Sequence, residues 1–328
     1  MKSLVTGGAG FIGSHVARQL IERGHQVLIL DDLSGGVEES MPRSARFVKG
    51  SILDVGLVES LFEQHKFDYV YHLAAYAAEN LSHFIKRFNY QNNLIGSVNL
   101  INAAVNHGVK CFVFTSSIAV YGNFTPPFRE DMGCTPVDSY GIAKLAVESE
   151  LRISREMFGL DYIIFRAHNI FGEGQSIGDR YRNVVGIFMN QCLKGEPMTI
   201  YGDGEQQRAF SYIEDVAPII AKSVDIPAMR NEVFNIGGEV PATVNELAAI
   251  IAEEMGLFHK VVHLPQRREV RIAFCTHGKL NALVPTHYPT LLRDGLARMA
   301  FWVQRHGAKE SQPFKDIEIR KNLPESWK

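Results

Sequence analysis

Tyr140 and Lys144 stand four residues apart at the head of a long stretch of helical pattern. On a helix that spacing sends both side chains off one face. An ammonium beside a phenol favours the phenolate, so the pair predicts a tyrosine pKa pulled from about 10 toward neutrality. Tyr140 would then be a general base for an alcohol proton. A YxxxK pair alone is common by chance, and the upstream run Phe112-Val113-Phe114-Thr115-Ser116-Ser117 gives it weight. A strand that delivers hydroxyls at its carboxyl end places them where open parallel sheets bind their ligands. Ser117 is the candidate to hold a substrate oxygen or relay a proton, whereas Ser116 and Thr115 are expected to cap or line the strand end.

A second constellation lies at Gly7-Gly8-Ala9-Gly10-Phe11-Ile12-Gly13, a GxxGxxG run between an apolar strand and a helical pattern. Glycines are required there if the turn is tight, if a pyrophosphate approaches the amides of Gly10, Phe11, Ile12 and Gly13, and if the helix packs closely on the strand. Asp31-Asp32 ends the next apolar run, 18 residues after Gly13. A carboxylate at that point accepts hydrogen bonds from both adenosine ribose hydroxyls and repels a 2′-phosphate, so NAD is favoured over NADP. Asp31 is the ribose ligand on this reading, while Asp32 also fits a simple turn.

These groups need a scaffold. Residues 1 to about 170 cycle through short β-branched runs (4–6, 27–30, 47–49, 69–73, 111–115, 162–165) and helical patterns (12–23, 57–64, 92–106, 140–157), with Gly24 and Gly108 at expected left-handed helix ends. That alternation predicts an α/β, doubly wound parallel sheet of Rossmann type. After Phe171 the glycines at 172, 174, 178, 202 and 204 break the rhythm around one helix, 184–193. The expected division is therefore a dinucleotide-binding domain over 1–170 with a return near 209–240, and a smaller α+β substrate domain over 171–208 and 241–328. Apolar 233–236 is the candidate return strand, 244–255 reads as a helix behind a Thr243–Glu246 capping box, and the polar tail ending in Trp327 is expected to be partly loose.

Bulk properties narrow the function classes. A chain of 328 residues, 46% hydrophobic and with net charge -2, can bury roughly three-quarters of its unfolded surface. It carries no basic patch for nucleic acid or an acidic membrane surface. Cys111, Cys134, Cys192 and Cys275 lack metal-site or disulfide spacing. No metal is expected, and reduced thiols with no apolar span of about 18 residues fit a cytoplasmic protein.

Together GxxGxxG, His72-Leu73-Ala74-Ala75, Ser116-Ser117-Ile118-Ala119-Val120-Tyr121-Gly122 and Tyr140-Gly141-Ile142-Ala143-Lys144 resemble the extended short-chain dehydrogenase/reductase superfamily, and within it the nucleotide-sugar epimerases, over nearly the whole chain. The resemblance implies a catalytic triad of Ser117, Tyr140 and Lys144. It also implies cofactor contacts at Leu73, Ala74 and Ala75, at Asn93, and at Ser51 and Ile52 beside the adenine. Relatives that dehydrate or decarboxylate carry acidic residues just after the catalytic serine, and a 3,5-epimerase type carries a cysteine at the second position. Here Ile118 and Ala119 can move no proton. What remains is oxidation at C4, rotation of the 4-keto sugar, and hydride return to its other face with NAD kept bound.

By the same resemblance the 198–204 segment, with Thr199 and Tyr201, lies around uracil, and Arg208 reaches for the diphosphate. Arg267 is the second diphosphate arginine, with Arg268 competing for that role, and Asn169, Asn183 and Val184 lie toward the pyrophosphate and uridine. Arg180 and Arg182 flank the expected sugar pocket. One of them, Arg182 first, could meet a hexuronate carboxylate, which favours UDP-glucuronate and UDP-galacturonate ahead of UDP-glucose and UDP-galactose. Both could equally be solvated or bridge domains. A net nucleotide-sugar oxidoreductase and a non-catalytic NAD-binding sensor or scaffold are the competing function classes. Apolar faces on 92–106 and 140–157 suggest a homodimer.

Overall fold

In the computed structural model, residues 1–328 are described apart from 259, 268, 285–288, 312 and 328. Six strands follow the predicted cycle: β1 (Lys2–Thr6), β2 (Gln26–Asp31), β3 (Arg46–Lys49), β4 (Tyr69–His72), β5 (Cys111–Ser117) and β6 (Tyr162–Ala167). With the return strand Glu232–Ile236 they form one seven-stranded sheet in the order return–β6–β5–β4–β1–β2–β3. Every pairing is parallel. This is the doubly wound α/β arrangement that the alternation predicts, with the order reversing beside β1.

Both faces of the sheet are covered, which explains why its strands are almost wholly apolar. Leu4, Leu28, Val70, Phe112 and Ile164 face the helices Val55–His65, Gly96–Asn106 and Ser139–Phe158. Their sequence neighbours Val5, Ile29, Tyr71, Val113 and Ile163 point to the other side, with Val16 and Leu20 of helix Phe11–Glu22 and Val216 and Ile220 of helix Ile213–Lys222. A period of two in the side chains thus divides one sheet between two apolar layers. Gly24 and Gly108 adopt the expected left-handed conformation, with φ of 82° and 67°.

Beyond β6 the chain builds small sheets. Met198–Tyr201 pairs with Val261–Leu264, and Gln207–Ala209 lies between Pro241–Thr243 and Ile272–Ala273. Helix Val184–Leu193 spans the predicted residues, and helix Val244–Glu254 starts at the Thr243–Glu246 capping box. No described helix is long and apolar enough to cross a membrane.

Two expectations are corrected. The segment predicted as one helix over 92–106 is Lys86–Tyr90, a wide π turn Gln91–Ile95 and helix Gly96–Asn106. Its asparagines bond to nearby backbone: Asn92 donates to the Phe88 carbonyl at 2.9 Å, and Asn93 turns to Tyr76. The tail is not loose at its end. Leu323 and Trp327 are buried with Ala78, Leu81 and Ile85, and Tyr76, Phe84, Phe88, Tyr181 and Phe314 pack on that cluster. Polar composition concealed a few aromatic anchors.

Candidate active site

One continuous cleft of about 2070 Å³ runs along the carboxyl ends of the strands. Its first half is built on the glycine-rich turn. Gly7 has φ of 72°, and a methyl group on Gly13 would lie 2.1 Å from the Gly7 carbonyl oxygen. Only glycine lets helix Phe11–Glu22 start this close to β1, with the Gly10 to Gly13 backbone lining the cleft. Asp31 ends β2, and its carboxylate accepts the N–H groups of Ala9 (3.0 Å) and Leu33 (2.8 Å). Each oxygen keeps a lone pair for a ribose hydroxyl. Burial raises the Asp31 pKa, while the backbone N–H of Leu33 and that of Ala9 oppose the rise. Asp32 accepts the Ser34 N–H at 2.8 Å, the turn geometry expected of it.

Ser51, Ile52, Leu73, Ala74 and Ala75 complete the wall of this half. The cradle therefore fits an extended dinucleotide, with Gly10 to Gly13 around the diphosphate and Asp31 at the adenosine ribose. Asn93 is the exception among the expected site residues, because it does not line the cleft. It accepts the Tyr76 N–H at 2.9 Å and donates to Asn89 Oδ1 at 2.8 Å, and Asn89 donates to the Ser139 carbonyl at 2.8 Å. It ties the exit of β4 to the start of the helix that carries Tyr140.

The two halves meet at Ser117, Tyr140 and Lys144, all of which line the cleft. Asp138 caps helix Ser139–Phe158 by accepting the Gly141 N–H at 2.7 Å. Lys144 Nζ donates to the Thr115 carbonyl at 2.8 Å and lies 5.6 Å from the centre of the Tyr140 ring. Ser117 accepts the Ala119 N–H at 3.1 Å, fixing its Oγ where the strand turns.

Behind the triad, Glu148 and Arg166 form a buried pair at 3.0 and 2.7 Å, and Ser116 donates to the same carboxylate at 2.6 Å. That network pins the serine strand to the tyrosine helix. It is the role of Ser116, and the sequence did not indicate it.

In the ligand-free site, burial outweighs the neighbouring ammonium at the phenol. Burial raises the Tyr140 pKa, the Glu79 carboxylate adds to the rise, and the Ser117 hydroxyl works against it. Burial also pulls Lys144 down to about 7, opposed by Glu148. Without ligand the phenol stays protonated at neutral pH, so further positive charge is needed to make it a base. Glu79 is a group the sequence reading missed. It stands in the cleft with its outer surface exposed, and desolvation between the cleft walls, followed by Asp138, raises its carboxyl pKa, with Arg208 opposing. An apolar-periodicity reading has no handle on one acid at the head of a four-residue helix, Glu79–Ser82.

In the second half, Asn169 (φ of 42°), Asn183, Val184, Thr199, Tyr201, Arg208 and Arg267 all line the cleft. Asn183 caps helix Val184–Leu193, and Thr199 is held by Gln191 at 3.0 and 3.1 Å. Arg208 is fastened to the carbonyls of Gln207, Val270 and Arg271. Arg267 lies 3.6 Å over the Tyr201 ring, and its buried Nε has no hydrogen-bond partner. A desolvated arginine with an unmet N–H is a ready anion ligand. The competing Arg268 lies outside the described residues. Trp327, another group missed, has its ring centre 5.6 Å from the Arg267 guanidinium, and Ser326 bonds the Tyr201 hydroxyl at 2.6 Å. Arg182 and Arg180 are engaged: Arg182 Nε donates to Asp179 at 2.6 Å, and Arg180 Nε donates to Ser311 Oγ at 3.0 Å.

Comparison with known proteins identifies the family. Residues 3–237 match the family described as NAD dependent epimerase/dehydratase. The chain is 32% identical to a putative UDP-glucose 4-epimerase of Methanocaldococcus jannaschii, covering 92% of this chain and 98% of that one. It is 35% identical to a UDP-N-acetyl-alpha-D-glucosaminuronate decarboxylase of Bacillus cytotoxicus over 80% and 83% of the two chains. The crystal structure of Thermotoga maritima UDP-glucose 4-epimerase with UDP-glucose superposes with a TM-score of 0.89 at 35% identity, covering 93% of this chain and 99% of that one. This chain belongs to the NAD dependent epimerase/dehydratase family, within its UDP-sugar 4-epimerases, and is an NAD-dependent isomerase.

Proposed function

We propose that the protein interconverts the C4 epimers of a neutral UDP-hexose, UDP-glucose and UDP-galactose, without releasing NAD. The observation that carries this reading is the intact Ser117, Tyr140 and Lys144 set on the cleft wall, followed by the apolar Ile118 and Ala119. Bound NAD would accept a hydride from C4 and return it to the opposite face of the 4-keto sugar, and its positive ring would favour the Tyr140 phenolate. Tyr140 takes the proton of the C4 hydroxyl and gives it back after the sugar has turned, while Ser117 holds that oxygen. Lys144, anchored on Thr115, lies beside the phenol and stabilises its ionised form. Asn169, Thr199, Tyr201, Arg208 and Arg267 hold the nucleotide diphosphate, so that only the sugar turns.

The choice of a neutral hexose reverses the earlier preference for a hexuronate. Arg180 is bonded to Ser311, and Arg182 is ion-paired with Asp179 with the open end of its guanidinium beside Gly35 of the loop after β2, which argues against either as the counter-ion of a sugar carboxylate. Glu79 puts a carboxyl of this chain in the same cleft as Tyr140, where it suits sugar hydroxyls and opposes a second carboxylate. Separate incubation with UDP-glucose, UDP-galactose and UDP-glucuronate, without added NAD and with chromatographic product analysis, tests both levels. Interconversion of the first two supports the reading. Conversion of UDP-glucuronate alone refutes the substrate, and stoichiometric NADH build-up refutes retention in favour of a net oxidoreductase.

The chain is also proposed to work as a homodimer through helix Ser139–Phe158, whose Ile142, Ile153 and Met157 stand exposed along one side. Light scattering at micromolar concentration checks this, and a monomer mass refutes it.

A further inference from the structure

Arg182 departs from the role its sequence position suggests, because its guanidinium points to the cofactor half of the cleft. A methyl group placed on Gly35 would lie 3.4 Å from Arg182 Nη2 and 3.5 Å from Nη1. Gly35 belongs to the loop that follows Asp31, and that loop rests on the glycine-rich turn. A methyl group on the adjacent Gly36 would lie 2.4 Å from the Ala9 carbonyl carbon and 2.7 Å from the Gly10 nitrogen, and the Val37 N–H bonds the Ala9 carbonyl at 3.1 Å. The guanidinium also lies 5.1 Å from the centre of the Tyr76 ring, and Tyr76 follows Leu73, Ala74 and Ala75 in sequence. Arg182 therefore lies close to both the loop after β2 and the loop after β4, in the same cleft as the glycine-rich turn.

The orientation is fixed from behind. Asp179 accepts the Arg182 Nε at 2.6 Å and the Tyr181 N–H at 2.8 Å, so the ion pair uses one edge of the guanidinium. Nη1 and Nη2, the edge turned toward Gly35, make no hydrogen bond among the described residues. That edge matches two oxygens of a phosphate. A second link holds the same stretch of chain over the cradle: His15, on the helix that begins at the glycine-rich turn, bonds the Glu173 carbonyl at 2.9 Å. Gly35 has no side chain to keep the guanidinium away.

We propose that Arg182 is a cofactor-positioning residue that closes over the diphosphate of NAD from the nucleotide-sugar side of the cleft and keeps the dinucleotide from leaving between turnovers. The segment that carries it continues into Asn183 and Val184 at the head of helix Val184–Leu193, so one short stretch of backbone serves both nucleotides. A retained cofactor needs such a clasp, because the hydride removed from one sugar must return to the same sugar.

The test follows NAD itself. NAD-loaded Arg182→Gln, Arg182→Lys and Arg180→Gln proteins are diluted into cofactor-free buffer, and bound NAD is quantified against time after rapid gel filtration; UDP affinity is measured in parallel by calorimetry. Loss of a charge-assisted contact predicts roughly 10- to 100-fold faster NAD release for Arg182→Gln. Arg182→Lys should fall between it and the wild type, because it keeps the charge and loses the fork. Arg180→Gln and all UDP affinities should stay near wild type. NAD release within twofold of wild type in Arg182→Gln, or a loss of UDP affinity with NAD release unchanged, overturns the proposal.

Discussion

Glu148→Gln removes one charge from behind the active site without touching the cleft. Glu148 is fully buried and Arg166 is 2% exposed, and two hydrogen bonds of 3.0 and 2.7 Å join them. Burial works against the Arg166 charge, yet the Glu148 carboxylate offsets this and raises the arginine pKa. The substitution leaves a buried guanidinium facing a neutral amide, and breaking a buried pair from one side costs about 3–5 kcal/mol. Unfolding entropy of about 2.1 cal/mol/K per residue gives roughly 0.7 kcal/mol/K for 328 residues, so Tm should fall by about 4–7 °C. Activity should fall as well, because Ser116 and the strand that ends in Ser117 lose their anchor. Thermal melts with saturating NAD, beside initial rates, provide the assay. The double variant Glu148→Leu/Arg166→Met separates charge from shape and should recover most of the loss, because apolar replacement of a buried pair is often neutral. A Tm within 1 °C of wild type for Glu148→Gln would refute the view that this pair braces the triad.

Three other outcomes follow. Tyr140→Phe should lower turnover by about 10²–10⁴-fold and leave UDP affinity within twofold by calorimetry, since the general base goes and the nucleotide contacts remain. Arg267→Met should raise the KM for the UDP-sugar by about tenfold or more with a smaller change in kcat, because its unmet N–H is offered to the substrate's diphosphate; an unchanged KM assigns that role elsewhere. For Lys144 the folded pKa, about 7, lies below its ordinary 10.5, so the unfolded chain binds more protons between those values. The stability of the NAD-free wild type relative to Lys144→Met should therefore rise with pH from about 7 toward 10 and be flat below about 6, as paired melts at pH 6, 8 and 9.5 would show.

The sheet was legible because its strands are buried on both faces and its helices carry clear punctuation. Asp31, the glycine-rich turn and the spacing of Tyr140 and Lys144 were legible because each depends on a short local geometry. Other positions depend on long-range contacts that the chain order does not show. Asn93 looks like a ligand in the chain, and folding turns it toward Tyr76 and Asn89. Arg182 looks like a partner for the sugar, and folding also brings its guanidinium close to Gly35, which lies 147 positions earlier. Glu79 sits in an unremarkable Ala-Ala-Glu-Asn run and matters only because Tyr140 arrives beside it from 61 positions away. For the phenol, spacing reports which charge is near and says nothing about how much water has been excluded, and burial raises the Tyr140 pKa in the ligand-free site.

The burial of Trp327 bears on which substitutions the cleft tolerates. Ser326 holds the Tyr201 hydroxyl, and the Trp327 ring lies 5.6 Å from the guanidinium stacked on Tyr201. Replacing either residue, far in sequence from the glycine-rich turn and the Tyr140 helix, would disturb an aromatic ring and an arginine of the cleft wall together, and so would look like a binding defect although neither residue belongs to a recognisable motif.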